Sequence, residues 1–214
     1  MRRPSSVSAL LLAAGAGSRF GGGKLLAPYR GRPLIEAVLS NLADAPVDER
    51  VAVVGEDAER LREVCEPYGF KVVENPDWAR GMSTSVRVGL QTLGPEARAA
   101  VVLLADQPLV GGGAVERLVA AFEAGAKVAV ATYGGRPRNP VVFSREVWPL
   151  LMTELSGDEG ARPFLRLHPE LVTWVPCDGV GDPADVDTAE DLRRLEGMRV
   201  REQDYKMVNK EVVP

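Results

Sequence analysis

The residues best suited to chemistry fall in three places along the 214-residue chain. Gly15, Gly17, Gly21, Gly22 and Gly23 lie within nine positions, with Arg19 among them and Lys24 immediately after. Asp106 follows the apolar run Ala99 to Ala105, in Leu104-Ala105-Asp106-Gln107-Pro108. Asp185 and Asp187 alternate just before Thr188. Glycines let backbone N–H groups converge on an anion, and an Arg and a Lys add fixed positive charge, so the first segment reads as a phosphate cradle. A carboxylate at the end of a buried strand suits Mg²⁺, which takes one or two carboxylates together with phosphate oxygens. Alternation puts Asp185 and Asp187 on one side of an extended segment, where either can meet Asp106 across a metal. Glu190 and Asp191 need no such role, because acids favour a helix N-terminus.

Two further segments are candidates. Gly81-Met82-Ser83-Thr84-Ser85 places small polar groups at a helix start, where they bind a sugar, a base edge or an anion, or else cap the helix. Gly157-Asp158-Glu159-Gly160-Ala161-Arg162 joins a turn, a helix start and one Arg suited to a phosphate, with surface capping as the alternative. The single His, His168, precedes Pro169 and is expected to be exposed and without a catalytic role. There is no His partner for a nucleophile, no G-x-S-x-G and no zinc spacing. What remains is chemistry that needs only charge, metal and positioning, as phosphoryl-type transfer does.

Such groups require a scaffold, and the apolar pattern supplies one. Val7 to Ala13 reads as a buried strand that breaks into the glycine loop. Strands over Val51 to Gly55, Phe70 to Glu74, Ala99 to Ala105 and Ala126 to Thr132 alternate with helices over Leu34 to Ala43, Asp57 to Tyr68, Gly81 to Gly94 and Ala114 to Ala124. Asp57 is the expected cap of the second helix. This order implies an α/β fold of three layers, α-β-α, with a mostly parallel, Rossmann-like sheet. Ligands then bind outside the carboxyl ends of the strands, where the polar and glycine-rich segments fall. Further on, the pattern predicts a strand over Pro140 to Phe143 and helices over Arg145 to Leu155 and from Gly157 to about Leu167. A strand over Leu171 to Val175 and a helix over Thr188 to Glu196 complete it. Residues 1–197 are expected to form one domain and 198–214 a tail.

The loop departs from two familiar phosphate motifs. For a P-loop, Ser18 stands where the first Gly belongs and Leu25 follows the Lys. For a dinucleotide fingerprint, the third Gly comes one residue late, at Gly21, and the acid about 20 residues on, Glu36, sits in a helix.

A net charge of −4 disfavours a nucleic-acid partner. Cys65 and Cys177 are far apart and read as reduced thiols of a cytoplasmic protein. Met1-Arg2-Arg3 and the run Ser8 to Ala14 imitate a signal peptide, but the run is too short to span a bilayer and feeds straight into the loop, so no membrane association is expected.

The pattern L-A-A-G-x-G-x-R-x-G-x-x-K from Leu12 to Lys24 resembles the MobA-like nucleotidyltransferases, and its A-A-G form resembles the molybdenum cofactor cytidylyltransferases. Gly81 to Ser85, Leu104 to Pro108, Asn139 to Phe143, Gly157 to Arg162 and Asp185 to Asp191 match that branch in order. The resemblance implies nucleotidyl transfer from an NTP, CTP in particular, to a phosphorylated acceptor such as molybdopterin, with Mg²⁺ as cofactor and a molybdoenzyme or its chaperone as partner. It implies catalytic roles for Arg19, Lys24 and Asp106, metal binding by Asp106 and Asp187, nucleotide binding by Leu12, Ala13, Ala14, Gly15, Gly17, Gly81 and Ser83, and acceptor binding by Asn139, Asp158 and Arg162. Asn139 stands where relatives often carry His. A sugar phosphate or phospholactate acceptor, or a cofactor-delivery protein without chemistry, are the alternatives. Ala14, where a Gly would leave room for a purine, points to a pyrimidine base.

Overall fold

The computed structural model describes residues 6–197. Met1-Arg2-Arg3 and the tail expected over 198–214 lie outside the described residues.

The strands are β1 (Val7–Ala13), β2 (Pro28–Tyr29), β3 (Arg32–Pro33), β4 (Glu49–Val54), β5 (Lys71–Glu74), β6 (Ala99–Leu104), β7 (Val128–Tyr133), β8 (Arg136–Ser144) and β9 (Val172–Pro176). The helices are α1 (Leu34–Asn41), α2 (Ala58–Cys65), α3 (Met82–Thr92), α4 (Gly112–Glu123), α5 (Trp148–Glu154), α6 (Arg162–Leu167) and α7, over 189–197. Seven strands form one sheet in the order β5-β4-β1-β6-β8-β7-β9. β1 lies inside it, paired in parallel with β4 and β6, and each of its seven residues is buried. That is why its sequence runs apolar from Ala9 to Ala13 rather than alternating; the one polar member, Ser8, is buried and donates to Glu49 Oε2 at 3.0 Å.

Side chains of successive residues leave the sheet on opposite faces. Leu11, Ala13, Val54 and Val101 pack on one face with Ile35 and Leu39 of α1, Leu61 of α2 and Leu118 of α4. Leu10, Leu12, Val53 and Val102 pack on the other with Val86 and Leu90 of α3, Leu151 of α5 and Phe164 of α6. The three-layer α/β architecture expected from the sequence is therefore present. A Cβ at Gly89 would collide with Leu10, so glycine there lets α3 sit close on β1, although it costs a helix interior about 1 kcal/mol relative to Ala.

Several elements differ from their sequence pattern. The short strand expected at Pro140 to Phe143 is the nine-residue β8, which runs antiparallel between β6 and β7. Apolar periodicity reports burial and is blind to strand direction. β2 and β3 form a two-residue hairpin with no apolar pattern to announce it. The helix expected from Gly157 is a single 3₁₀ turn, Gly157–Glu159, followed by α6, because Gly160 at φ 58° and ψ −124° breaks it. The helix expected from Arg145 likewise starts as a 3₁₀ turn, Arg145–Val147. Asp57 precedes α2 but makes no side-chain cap; its backbone is left-handed, and its carboxylate turns to Arg60 at 3.5 Å. At α7 the expected cap is present and reciprocal: Thr188 Oγ1 accepts from Asp191 N at 3.1 Å, and Asp191 Oδ2 accepts from Thr188 N at 2.9 Å.

Candidate active site

The carboxyl ends of β1, β4, β5 and β6 share one edge, and the candidate residues gather there. After Ala13 the chain enters the loop through Ala14, which is 5% exposed and whose carbonyl faces Gly55 so closely that a Cβ at Gly55 would clash with it. Gly17 turns the loop: it is left-handed at φ 60°, and its carbonyl accepts from Phe20 N at 2.8 Å and Gly22 N at 3.2 Å. A Cβ on Gly17 would lie 2.9 Å from Cβ of Lys24, so the loop closes tightly on the start of the lysine side chain. Gly21, Gly22 and Gly23 also take positive φ, a run that L side chains resist.

Lys24 reaches across to the end of β6. Its Nζ donates to Asp106 Oδ2 at 2.7 Å and stands 3.7 Å from Asp187 Oδ1. Arg19 Nη1 meets the other oxygen of Asp187 at 3.2 Å. Lys24 is nearly enclosed, with 12% of its side chain exposed, whereas Arg19 at 78% is free to swing. Asp106 Oδ1 is buried and has no hydrogen-bond partner among the described residues. An orphaned, buried carboxylate oxygen is costly unless something cationic takes it. Asp106 and Asp187, joined through one ammonium group, therefore fit a divalent cation that keeps phosphate and water oxygens in its shell. No group of three or more His, Cys, Asp or Glu suited to a metal occurs among the described residues, so any such ion would take part of its shell from its substrate.

Asp185 and Asp187 differ in what each touches. Asp185 Oδ1 accepts from Gln107 Nε2 at 2.7 Å. Its carboxyl titrates above the ordinary range because it is desolvated, and because Asp106 and Asp187 lie close by. Val186 between them is fully buried, and its N–H donates to Asp106 O at 2.9 Å. Asp187 thus faces the lysine while Asp185 faces the glutamine.

A cavity of about 90 Å³ opens on the α3 face of the sheet. Leu12, Val102, Leu104 and Phe143 are among its apolar walls, and Asn139, Asp158 and Arg162 line it together. The antiparallel course of β8 carries Asn139 to the end of β6 that holds Leu104, a juxtaposition the linear sequence does not show. Gly81 joins this wall to α3: it has φ 111°, and a Cβ there would strike Gly157 C at 2.6 Å and Asp158 Oδ1 at 2.8 Å. Gly160 in turn would strike Met82 Sδ at 2.9 Å.

The predicted residues divide as follows. Arg19, Lys24, Asp106 and Asp187 form one cluster; Leu12, Asn139, Asp158 and Arg162 line one cavity. Gly15 is exposed, Ser83 is buried at 6%, and the Ala13 side chain belongs to the opposite core, so Ala13 offers a ligand only its backbone. Neither Ser83 nor Thr84 caps α3; Thr84 Oγ1 instead donates to Gly81 O at 2.8 Å. Asn75 escaped the sequence reading. It is fully buried and donates to Thr84 Oγ1 at 2.8 Å and Ser85 Oγ at 3.0 Å; its only signal was an Asn-Pro at a strand end. His168 is not exposed as expected: 22% of its side chain is accessible, held by Glu154 at 2.8 Å and Glu170 at 3.4 Å.

A mostly parallel sheet with a glycine loop after its first strand, a lysine in the loop and a carboxylate at a neighbouring strand end is a site for a nucleotide's phosphates. Residues 9–179 match the MobA-like NTP transferase domain, and the chain belongs to that family of nucleotidyltransferases. It is 36% identical over 199 residues to the nicotine blue oxidoreductase of Paenarthrobacter nicotinovorans, covering 88% of this chain and 96% of that protein. Among solved structures, the Rv0371c homologue from Mycobacterium sp. strain JC1 superposes with a TM-score of 0.83 at 33% identity, over 93% of this chain and 99% of that one. Rv0371c of Mycobacterium tuberculosis, solved in complex with manganese, gives 0.74 at 30%, over 90% and 98%. No helix among the described residues is long and apolar enough to cross a membrane.

Proposed function

We propose that the protein transfers CMP from CTP to the phosphate of a small acceptor of the molybdopterin type, in the cytoplasm, with Mg²⁺ as cofactor, and that it passes the product to a molybdoenzyme or its chaperone. One observation carries the reading: Lys24 Nζ lies between Asp106 and Asp187 at the mouth of a glycine loop, and Asp106 keeps one buried oxygen unpartnered. In the reaction an oxygen of the acceptor phosphate bonds to the α-phosphorus, the bond from that phosphorus to the bridging oxygen breaks, and pyrophosphate leaves. The acceptor is ionised near neutrality, since the second pKa of a phosphate monoester is about 6, so no general base is required. That agrees with the lack of a His near the cluster.

The glycine loop, through Gly15 and Gly17, and Arg19 hold the β- and γ-phosphates. Lys24 moves onto the α-phosphoryl oxygens, where a fixed cation is worth more as negative charge develops. Leu12, Ala13, Ala14, Gly81 and Ser83 surround the nucleoside. Asn139, Asp158 and Arg162 take the acceptor, the guanidinium facing its phosphate. Asp106 and Asp187 hold the divalent cation, which when bound supplies charge neutralisation for two anions that must meet; the manganese in the Rv0371c complex supports this chemistry.

Pyrophosphate release on mixing the protein with CTP, Mg²⁺ and molybdopterin tests the proposal. Release that depends on all three is expected; nucleotide binding without release, whatever the acceptor, overturns it in favour of a delivery protein. The name of the Paenarthrobacter relative favours a second reading, in which the same loop holds the pyrophosphate of a dinucleotide for a redox reaction. Oxidation of a reduced nicotinamide dinucleotide by a dye acceptor, without pyrophosphate release, would select it.

A further inference from the structure

We propose that Gln107 is a positioning residue that sets the separation of the two metal-holding carboxylates. This inference rests on the metal reading of Asp106 and Asp187. Gln107 is 2% exposed, directly follows Asp106, and donates from one amide nitrogen to Pro183 O at 3.1 Å and to Asp185 Oδ1 at 2.7 Å.

The segment it grips runs back along the end of β6. Asp182 N donates to Leu109 O at 3.1 Å, and Val186 N donates to Asp106 O at 2.9 Å. Between these two backbone anchors lie Pro183, which has no N–H to donate, and Ala184 and Asp185. Gln107 supplies the cross-link over that interval. Asp187 is two residues beyond Asp185, so in an extended segment its side chain leaves on the same side. The grip on Asp185 therefore fixes the direction in which Asp187 emerges toward Lys24 and Asp106. It also gives Asp185 a partner of its own, leaving Asp187 as the acid that meets the cation. A residue one position from a metal carboxylate thus acts on the other carboxylate, 80 positions away in sequence.

The test is Mn²⁺ binding, followed by the electron paramagnetic resonance of the free ion, in the full chain with a non-hydrolysable CTP analogue. Gln107→Met keeps the side-chain volume and removes both hydrogen bonds. We expect it to weaken Mn²⁺ about tenfold while Tm falls by a few degrees. Asp185→Ala should weaken it comparably, and adding Gln107→Met to Asp185→Ala should cost less than threefold more, because only the longer hydrogen bond to Pro183 O is then left to lose. Gln107→Met within twofold of wild type, or an equal loss in both backgrounds, overturns the proposal. A wild-type chain that binds no Mn²⁺ overturns the metal reading as well, which separates the two failures. A Gln107→Met chain that fails to fold leaves Asp185→Ala to decide: if that variant keeps wild-type Mn²⁺ affinity, the positioning role is wrong.

Discussion

Removing Lys24 should move two measurable quantities in opposite directions. The ammonium stands 2.7 Å from one oxygen of Asp106 and 3.7 Å from one of Asp187, with 12% of the lysine side chain exposed. At an effective dielectric constant of about 20, a pair at the shorter distance attracts by roughly 6 kcal/mol before desolvation. Most of that is offset by the water each group gives up, and a hydrogen bond between charged groups nets about 1.5–3 kcal/mol. A divalent ion entering the free protein must displace this contact. Lys24→Ala should therefore bind Mn²⁺ about 10–100-fold more tightly in the absence of nucleotide, since each 1.4 kcal/mol is about tenfold. With CTP and acceptor present the same change removes a cation from the developing charge, at about 3–4 kcal/mol of barrier, so kcat should fall roughly 10²–10³-fold. Isothermal titration with Mn²⁺ and a pyrophosphate-release assay on one preparation give both numbers. Unchanged or weaker Mn²⁺ binding would show that the lysine does not compete for these carboxylates. Turnover within threefold of wild type would remove the catalytic reading of the loop.

Other outcomes follow from the same geometry. Asp106→Asn keeps the shape and removes the charge, so turnover should vanish with circular dichroism unchanged, and activity in EDTA would show that no metal is needed. Asp187→Asn should raise the metal concentration required for half-maximal rate without abolishing it, since 47% of the Asp187 side chain is exposed and water can replace it; complete loss would make it the principal ligand instead. CTP should exceed GTP in kcat/KM by about 10–200-fold, the range one methyl group supports, and Ala14→Gly should narrow the ratio; a wild-type preference for GTP would reject the cytidine reading. His168 is held above the usual imidazole value by its hydrogen bond to Glu154, and to a smaller degree by Glu170. A raised folded-state value means that its contribution to stability is fully present below the unfolded value of about 6.5 and is lost as pH rises through the folded value. As the chain's one imidazole, it gives a single NMR titration, which should shift down in Glu154→Gln; no shift would refute the pairing.

The parallel half of the fold was legible because a strand buried on both faces is apolar in consecutive positions rather than alternate ones, as Leu10, Leu11 and Leu12 are. The glycine loop was legible because runs of positive φ select glycine. The direction of β8 could not be read from Val141, Val142 and Phe143, whose burial pattern is the same either way; its signal was Gly134-Gly135, a two-residue hairpin turn between β7 and β8. That Asp106 and Asp187 share Lys24 while Asp185 turns away was not legible, because the turn depends on Gln107, whose amide sits inside a motif already noted for its aspartate. Asn139, Asp158 and Arg162 were named from the resemblance, and their common cavity exists because β8 turns back and Gly81 admits the Gly157 turn. The second fact has no local signature, whereas the first does: Gly134 and Gly135, at φ 55° and 72°, are the two-residue turn between Tyr133 and Arg136. His168 looked exposed because it precedes a proline, while the partners that cover it lie on α5 and in the turn before β9.

The insertion of β8 has a consequence for the order in which the molecule comes into being. β6 is made early, yet its neighbour on one side is β8, with Ala99 opposite Ser144. A nascent chain must hold that edge open for 45 residues of synthesis before the sheet can close across its middle. The second carboxylate arrives later still: a chain halted at residue 180 would contain all seven strands of the large sheet and the whole glycine loop, but neither Asp185 nor Asp187. Released chains truncated at residue 180 should therefore resist proteolysis across the sheet and still leave Lys24 and Asp106 without their third partner. The protein would acquire its shape first and its full charge cluster afterwards.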